Sequence, residues 1–393
     1  MASEQQYIQF YKEERSDIFA HSPQWMNVHR DAAFDVFAQK GFPSVSEERY
    51  RYMNVEKDFA PNYGINTVGR QVDCPDPMLY NTIADGDDAL VALNTMLATE
   101  CQVVRIGKGE KPKHPIQITN TLRGEQPEMV NRRLLIVMEE GAEADVIITD
   151  RAASKQRFMT NQVVEVFCND GARLNLYEIE ETHLMCTRYS SLFMRIGSEC
   201  SVHHSLLTLF NGRTRNRCDV ALTGEHSEIV LNGCVIADKM QHVDNNTLID
   251  HRVPYCDSRQ LYKYVLDDSA VGAFAGRILV RPHAQHTTSQ ETNANLCATR
   301  TARMYAQPML EIYADDVKCS HGSTVGHMNE EALFYMRQRG ISEHDARLLL
   351  KSAFITEVVE HIPLSSLRDR LLILVERRLR GELSKCEGCN LCE

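Results

Sequence analysis

The sequence predicts a mainly β protein, a β-solenoid core flanked by helical regions at both ends, and three observations carry that prediction. From about Val103 the chain turns into short β-prone runs (VVRI, PIQIT, LLIVM, DVIIT, VVEVF, LNLYEI) divided by polar turns, with no sustained helical period. Within them runs a weak glycine-led repeat, GAEADV at Gly141, GARLNL at Gly171, GSECSV at Gly197 and GEHSEI at Gly224. Its starts lie 30, 26 and 27 residues apart (171 − 141, 197 − 171, 224 − 197). A looser copy, SAVGAF at Ser269, follows after 45 residues (269 − 224), a gap that reads as two rungs. Units of strands this short cannot bury a core alone, so they stack on one another. The third observation is the return of helical spacing after Gly326. The structural competitor is a two-sheet sandwich, because periodic strands do not by themselves separate stacking from pairing.

Residues 1–102 read as a mostly helical N-terminal region. Apolar residues recur at helical spacing at Tyr7, Ile8, Phe10 and Tyr11 and again at Ala33, Phe34, Phe37 and Ala38, and the second run stops at Gly41, Phe42 and Pro43. A looser stretch with the turns APNYG and DCPDP leads to a short helix over Asp87 to Thr99. Residues 103–327 form the β-helix core. Residues 328–384 form a C-terminal helical module, read from EEALFYMRQRG, ISEHDARLLLKSAFITEVVEHIP and PLSSLRDRLLILVERRLRGELS. There Ser342 and Asp345 make a capping box in its Asp form, and Pro363 separates the last two helices. Residues 385–393, KCEGCNLCE from its lysine onward, are a cysteine-rich tail with no core of its own.

Composition narrows the function classes. Apolar residues at 43% and charged residues at 25% are ordinary for a folded soluble protein. The net charge of −11 argues against a nucleic-acid partner. The N-terminus lacks the basic-then-apolar order of a secretory signal, and the longest apolar runs, such as Leu371 to Val375, are far too short to span a bilayer. The expectation is a cytoplasmic protein without a membrane partner, whose 13 cysteines are mostly reduced thiols. Cys168, Cys186 and Cys234, inside apolar stretches, read as small buried hydrophobes.

Residues two apart in a strand share a face, so Cys319 and His321 of KCSHG can present a thiolate and an imidazole side by side, a pair suited to iron or zinc. Asp315 and Asp316 before them and Gly322 to Gly326 after them mark a solvent-accessible rim. A packed cysteine beside a hydrogen-bonded histidine is the competing reading. In the tail, Cys386, Cys389 and Cys392 are spaced so that three thiolates can converge on one metal ion or cluster, against an inert or redox-reactive segment. His203, His204, His226, His242, His251, His283 and His286 fall on different rungs and read as structural or surface groups, His251 with Asp244 being the pair most open to another role. There is no GxxxxGK[ST] phosphate loop.

The segment PMLEIYADDVKCSHGSTVG, followed by EEALFYMRQRGIS and DARLLLKSAF, resembles the C-terminal block of the SufB/SufD family of iron–sulfur cluster assembly proteins. Upstream, QHVDNNTLIDH, DSRQLYKYVLDDSAVGAFAGRILV, AQHTTSQETNANL and ALNTML with KGEKPKHPIQI resemble it too, and GFPS and RYRYMN do so loosely. SufB-type members carry a sulfur-accepting cysteine just before the strand equivalent to PMLEIY and an acidic-His-acidic segment where this chain has Cys319, Ser320 and His321. The approach here, ATRTARMYAQ, has no cysteine, so the chain resembles the SufD type.

That resemblance implies a right-handed parallel β-helix and a non-catalytic scaffold that pairs with a SufB-type subunit through the solenoid. It also implies that a SufC-type ATPase binds through the C-terminal helices. A transient iron–sulfur cluster would be shared with SufB at the junction, with the histidine matching His321 helping to build or hold it and Cys319 as ligand or neighbour. A reduced flavin would join the assembled complex, with nothing firmly bound to the isolated chain, and the unpaired faces of a lone β-helix favour a homodimer when SufB is absent. Two other functions compete, a solenoid enzyme such as a lyase or acyltransferase, and an ATPase-binding adaptor in which His321 is structural.

Overall fold

The computed structural model describes residues 3–69, 74 and 77–382. Helices α1 (Ser3–Ala20), α2 (Gln24–Asn27), α3 (Arg30–Lys40), α4 (Val55–Phe59) and α5 (Ala89–Leu97) precede the core, and α6 (Glu330–Gln338), α7 (Glu343–Glu360) and α8 (Ser365–Leu379) follow it. Between them lie strands β1 (Gly64–Ile65), β2 (Gln102–Ile106), β3 (Ile116–Leu122), β4 (Glu128–Met138), β5 (Glu143–Ala152), β6 (Phe158–Cys168), β7 (Arg173–Glu181), β8 (Cys186–Ile196) and β9 (Ser201–Phe210). The series continues through β10 (Arg213–Leu222), β11 (Glu228–Ala237), β12 (His242–His251), β13 (Asp257–Leu266), β14 (Val271–Val280), β15 (Thr287–Cys297), β16 (Arg303–Ile312) and β17 (Val317–His327).

Every strand from β4 onward pairs in parallel with the strand two places along the chain, giving one sheet of nine strands, ordered β1-β4-β6-β8-β10-β12-β14-β16 with β2 beside β4, and one of eight, β17-β15-β13-β11-β9-β7-β5-β3. This is a parallel β-solenoid, each turn adding one strand to each sheet. Register shows the period directly: Arg213 lies beside His242 and His242 beside Val271, 29 residues per turn at both steps (242 − 213, 271 − 242). The sandwich alternative was half right, since two sheets do face each other, but the chain reaches them by coiling and not by hairpins.

The glycine-led repeat resolves into two corner devices. The four strong copies precede β5, β7, β9 and β11, all in the eight-stranded sheet. Two residues before these strands the backbone is left-handed at Gly141 (φ 66°), Gly171 (72°), Glu199 (58°) and His226 (59°), and the following rungs repeat it at Tyr255 (59°) and His286 (56°). Only the first two copies therefore use the leading glycine for positive φ. Gly197 and Gly224 serve close approach instead: a Cβ on Gly224 would lie 2.0 Å from the Ser198 nitrogen and 2.3 Å from the Gly197 carbonyl carbon. SAVGAF is not in phase with the others. It precedes β14 in the opposite sheet, after left-handed Asp268, so the 45-residue gap holds one and a half turns, not two. Small-residue turns close both corners of a rung, and a sequence repeat cannot tell them apart.

The solenoid interior is lined mainly by Val, Leu and Ile, among them Ile136, Val166, Val202 and Ile249, all fully buried. Cys168, Cys186 and Cys234 are buried as expected, and burial pushes the Cys186 and Cys234 thiols up to about 12. The outer faces are covered where helices pack. All nine residues of α5 are buried, its first turn capped by Asp88 and its C-terminal carbonyls bound by the buried Arg30 guanidinium (Nη1 to Met96 O, 3.0 Å; Nη2 to Ala98 O, 2.6 Å). Met129, Met159 and Tyr189 on the nine-stranded sheet join this N-terminal cluster. On the other sheet Tyr177, Leu207, Cys234 and Val265 receive Ile355, Val359 and Leu371 of α7 and α8. Ser342 caps α7 by accepting from the Asp345 N–H at 3.1 Å while its hydroxyl donates to the Asp345 carboxylate at 2.6 Å. The break at Pro363 falls between Glu360 and Ser365.

Because neighbouring rungs touch backbone to backbone at Gly224, Gly224→Ala must force two turns apart. Its urea midpoint should fall by the equivalent of roughly 1–3 kcal/mol; an unchanged midpoint would show that the corner can relax.

Candidate functional site

β16 and β17 are the last strands of their sheets, and each leaves one edge without a partner among the described residues. Cys319 and His321 both lie on β17. Cys319 is half-buried and packs with Val317 and Leu310 toward Ile278 and Val280 of β14, so this face of β17 looks into the solenoid. Strand alternation puts His321 and Ser323 on the same face, where His321 is exposed at the open end. KCSHG therefore forms part of the rim that closes the interior, as its flanking residues suggested.

In-register parallel pairing stacks like positions directly on one another, and three inward columns become polar as they reach the rim. The first runs Ser258, Ser289, Cys319, the second Gln260, Glu291, His321 and the third Tyr262, Asn293, Ser323. Deeper in the stack the first column holds Ile229 and Val202, and the second Leu231, His204 and Leu176. Hydrogen bonds link the polar members. His251 Nε2 lies 2.9 Å from the Ser258 hydroxyl, which lies 2.7 Å from that of Ser289, and the Ser323 hydroxyl donates to Asn293 Oδ1 at 3.1 Å. Thr247 donates to Gln260 Oε1 at 2.8 Å, and Gln260 Nε2 donates to Glu291 Oε2 at 3.2 Å.

Glu291 is the residue that sequence reasoning missed. It is 1% exposed, its Oε1 has no hydrogen-bond partner, and burial pushes its carboxyl up to about 8, so it is a neutral acid at physiological pH. Gly276 on the facing sheet makes room for it, since a Cβ there would meet the carboxyl at 2.6 Å. The signal was in TTSQETNAN: Ser289, Glu291 and Asn293 alternate on the inward face of a strand whose outward face is polar as well.

Among the described residues Cys319 and His321 meet no third protein ligand. No group of three or more His, Cys, Asp or Glu among the described residues could hold a metal ion. Burial pushes the Cys319 thiol up, which favours its protonated form. Cys386, Cys389 and Cys392 lie outside the described residues.

The histidines divide. His204 is buried 3.1 Å from Glu178, while His242 and His251 are buried and pushed down to about 4 by desolvation. His251 does not meet Asp244; it bonds Ser258, and Asp244 lies 3.8 Å from Arg215. His226 and His286 sandwich Tyr255 in a stack on the outer corner, with His286 3.0 Å from Asp316.

What these elements define is a parallel β-solenoid whose interior ends in a polar, sulfur- and imidazole-bearing rim. Residues 120–354 match the SufBD core domain of the SUF system for FeS cluster assembly, and residues 1–78 match the SufBD protein N-terminal region. The chain is 30% identical over 297 residues to the iron–sulfur cluster assembly protein SufD of Escherichia coli, covering 75% of this chain and 70% of that one. A SufBD family protein of Synechocystis is 31% identical over 310 residues (73% of this chain, 65% of the relative). A protein of Arabidopsis thaliana named as chloroplastic is 27% identical over 298 residues (73% and 62%). The chain belongs to the SufBD family of iron–sulfur cluster assembly proteins and is of the SufD type. No helix among the described residues is long and apolar enough to cross a membrane.

Glu291 gives the site a pH signature. A folded pKa near 8 against an ordinary 4.5 means that the folded chain keeps a proton the unfolded chain releases. That stabilisation is complete below about 4.5 and is lost as the pH rises through 8. Glu291→Gln should therefore melt close to the parent at pH 4.5 and higher than it, by roughly 2 °C or more, near pH 8.5. Equal melting points at both pH values would place the carboxylate in a solvated setting.

Proposed function

We propose that this chain is a SufD-like scaffold subunit that pairs with a SufB-type subunit through the open end of its solenoid and binds a SufC-type ATPase through its C-terminal helices. A nascent iron–sulfur cluster, the cargo of the complex, would form at the junction. The carrying observation is that Cys319 and His321 stand on a rim strand whose outer edge has no partner, and meet no third ligand, among the described residues, as half of a shared site would. A partner strand added to β16 or β17 would complete the sheet and bring the remaining ligands. The exposed Phe334, Tyr335, Leu349 and Ile373 on α6, α7 and α8 support a docking role for that module. On this reading residues 1–102 brace the solenoid, 103–327 are the assembly surface and 328–384 the ATPase-binding module.

In this role His321 supplies an imidazole to iron and Cys319 a thiol whose proton metal binding displaces. Neutral Glu291, one rung below His321, puts no negative charge under the incoming sulfide. Co-expression with SufB-type and SufC-type proteins should yield a stable complex, and His321→Ala should leave that complex intact while lowering its iron and acid-labile sulfide severalfold. Intact complex with unchanged cluster yield would favour the plain adaptor, in which the exposed helical residues are the whole function.

The tail cysteines Cys386, Cys389 and Cys392 are proposed as a separate metal- or cluster-capturing element. Truncation after Ser384 should lower the iron or zinc content of the purified chain, whereas identical metal content would assign those thiols elsewhere.

A further inference from the structure

On the outer face of the nine-stranded sheet a cavity of about 460 Å³ opens between the loop at Thr82–Asp85 and strands β8, β10, β12 and β14, the last of which is the neighbour of β16. Six arginines line it: Arg49, Arg195, Arg217, Arg252, Arg277 and Arg281. No lysine does, and the lining acids are Asp85, Asp219 and Asp250. In a chain of net charge −11 such an excess of guanidinium is a local construction.

Register explains how it is built. Phe193, Asp219, Leu248 and Arg277 form one outward column, and Arg195, Ala221, Asp250 and Leu279 form the next. Ala221, Leu248 and Leu279 thus make a low, apolar floor, with cations around it.

Asp250 holds Arg252 and Arg281 without using up their donors. Asp250 accepts from Arg252 Nε at 2.7 Å and from Arg281 Nε and Nη2 at 2.8 and 3.0 Å. Arg217 is fully engaged, by Asp85 at 2.8 Å, Asp88 at 3.0 Å and Asp219 (from Nε at 3.1 Å), and so shapes the wall, while Arg277 reaches Glu311 at 2.7 Å. Both Nη groups of Arg252 and Nη1 of Arg281 make no hydrogen bond to the described residues. Arg195 has no carboxylate partner among them, its guanidinium lying 4.9 Å from the Phe167 ring centroid. Held arginine forks with spare N–H groups around a concave floor match the planar, multidentate demands of phosphate, for which lysine would supply only a point charge.

We propose that this cleft binds a small oligophosphate anion, of pyrophosphate to nucleoside-diphosphate size. The volume lies within the range of small-molecule pockets, and the apolar floor can take a base beside the phosphates. The site uses neither Cys319 nor His321, so it does not rest on the assembly reading.

Titration calorimetry of the full chain with pyrophosphate and, separately, with ADP, both without metal, tests it. Binding of either anion is expected. Adenine adding affinity over pyrophosphate would identify a nucleotide as the ligand, and equal affinity would identify the bare oligophosphate. Arg195→Ala with Arg252→Ala should weaken binding by about tenfold or more, since each removes charge-assisted hydrogen bonds, and both side chains are exposed enough for the fold to survive. Arg173→Ala, on a different exposed surface, should change nothing. Heat from neither anion, binding unaltered in the double variant, or an equal loss with Arg173→Ala would overturn the proposal.

Discussion

The structure depends on one constraint, in-register pairing of each strand with the strand one turn away. Parallel β-pairing satisfies the backbone N–H and C=O groups of every interior rung, and it fixes which side chain lies on which. Once Arg213 is beside His242 and His242 beside Val271, every inward position belongs to a column that runs along the solenoid. Composition then varies by column and by rung, and the chain can be apolar at one end of a column and polar at the other.

That freedom is used at the rim. A residue in the middle of a column has neighbours above and below, so a buried carboxyl such as Glu291 finds Gln260 on one side and His321 on the other. A residue on β17 has a neighbour on one side only. The last rung is where side chains from the interior meet solvent and where unpaired backbone invites another strand. Both properties are what a shared assembly site needs, and they follow from ending the solenoid at β16 and β17 with one edge of each strand unpaired among the described residues. Elsewhere α5 covers β4 and β6 on one sheet, and α7 and α8 pack on the other.

The solenoid was legible because its cause is repetitive: strands without intervening helices, with turns every 26 to 30 residues, leave few other ways to bury a core. Which corner each repeat marks was not legible, because Gly141 answers a dihedral requirement and Gly224 a steric one, and both are spelled with the same letter. Cys319 and His321 stood out in KCSHG as unusual residues at strand spacing. Glu291 did not, because β15 is polar on both faces and alternation cannot show which face is inward. The arginine cleft was invisible for a different reason: its cations come from positions 49 to 281 and meet only when four rungs are stacked.

The central claim is that His321 of this chain shares in holding a cluster at a junction with a partner subunit. Electron spin-echo spectroscopy of the reduced cluster on the assembled complex, with histidine nitrogens isotopically labelled in this chain alone, tests it most directly. The account predicts a nitrogen coupling that changes on labelling and disappears in His321→Ala; a cluster signal indifferent to both would contradict it.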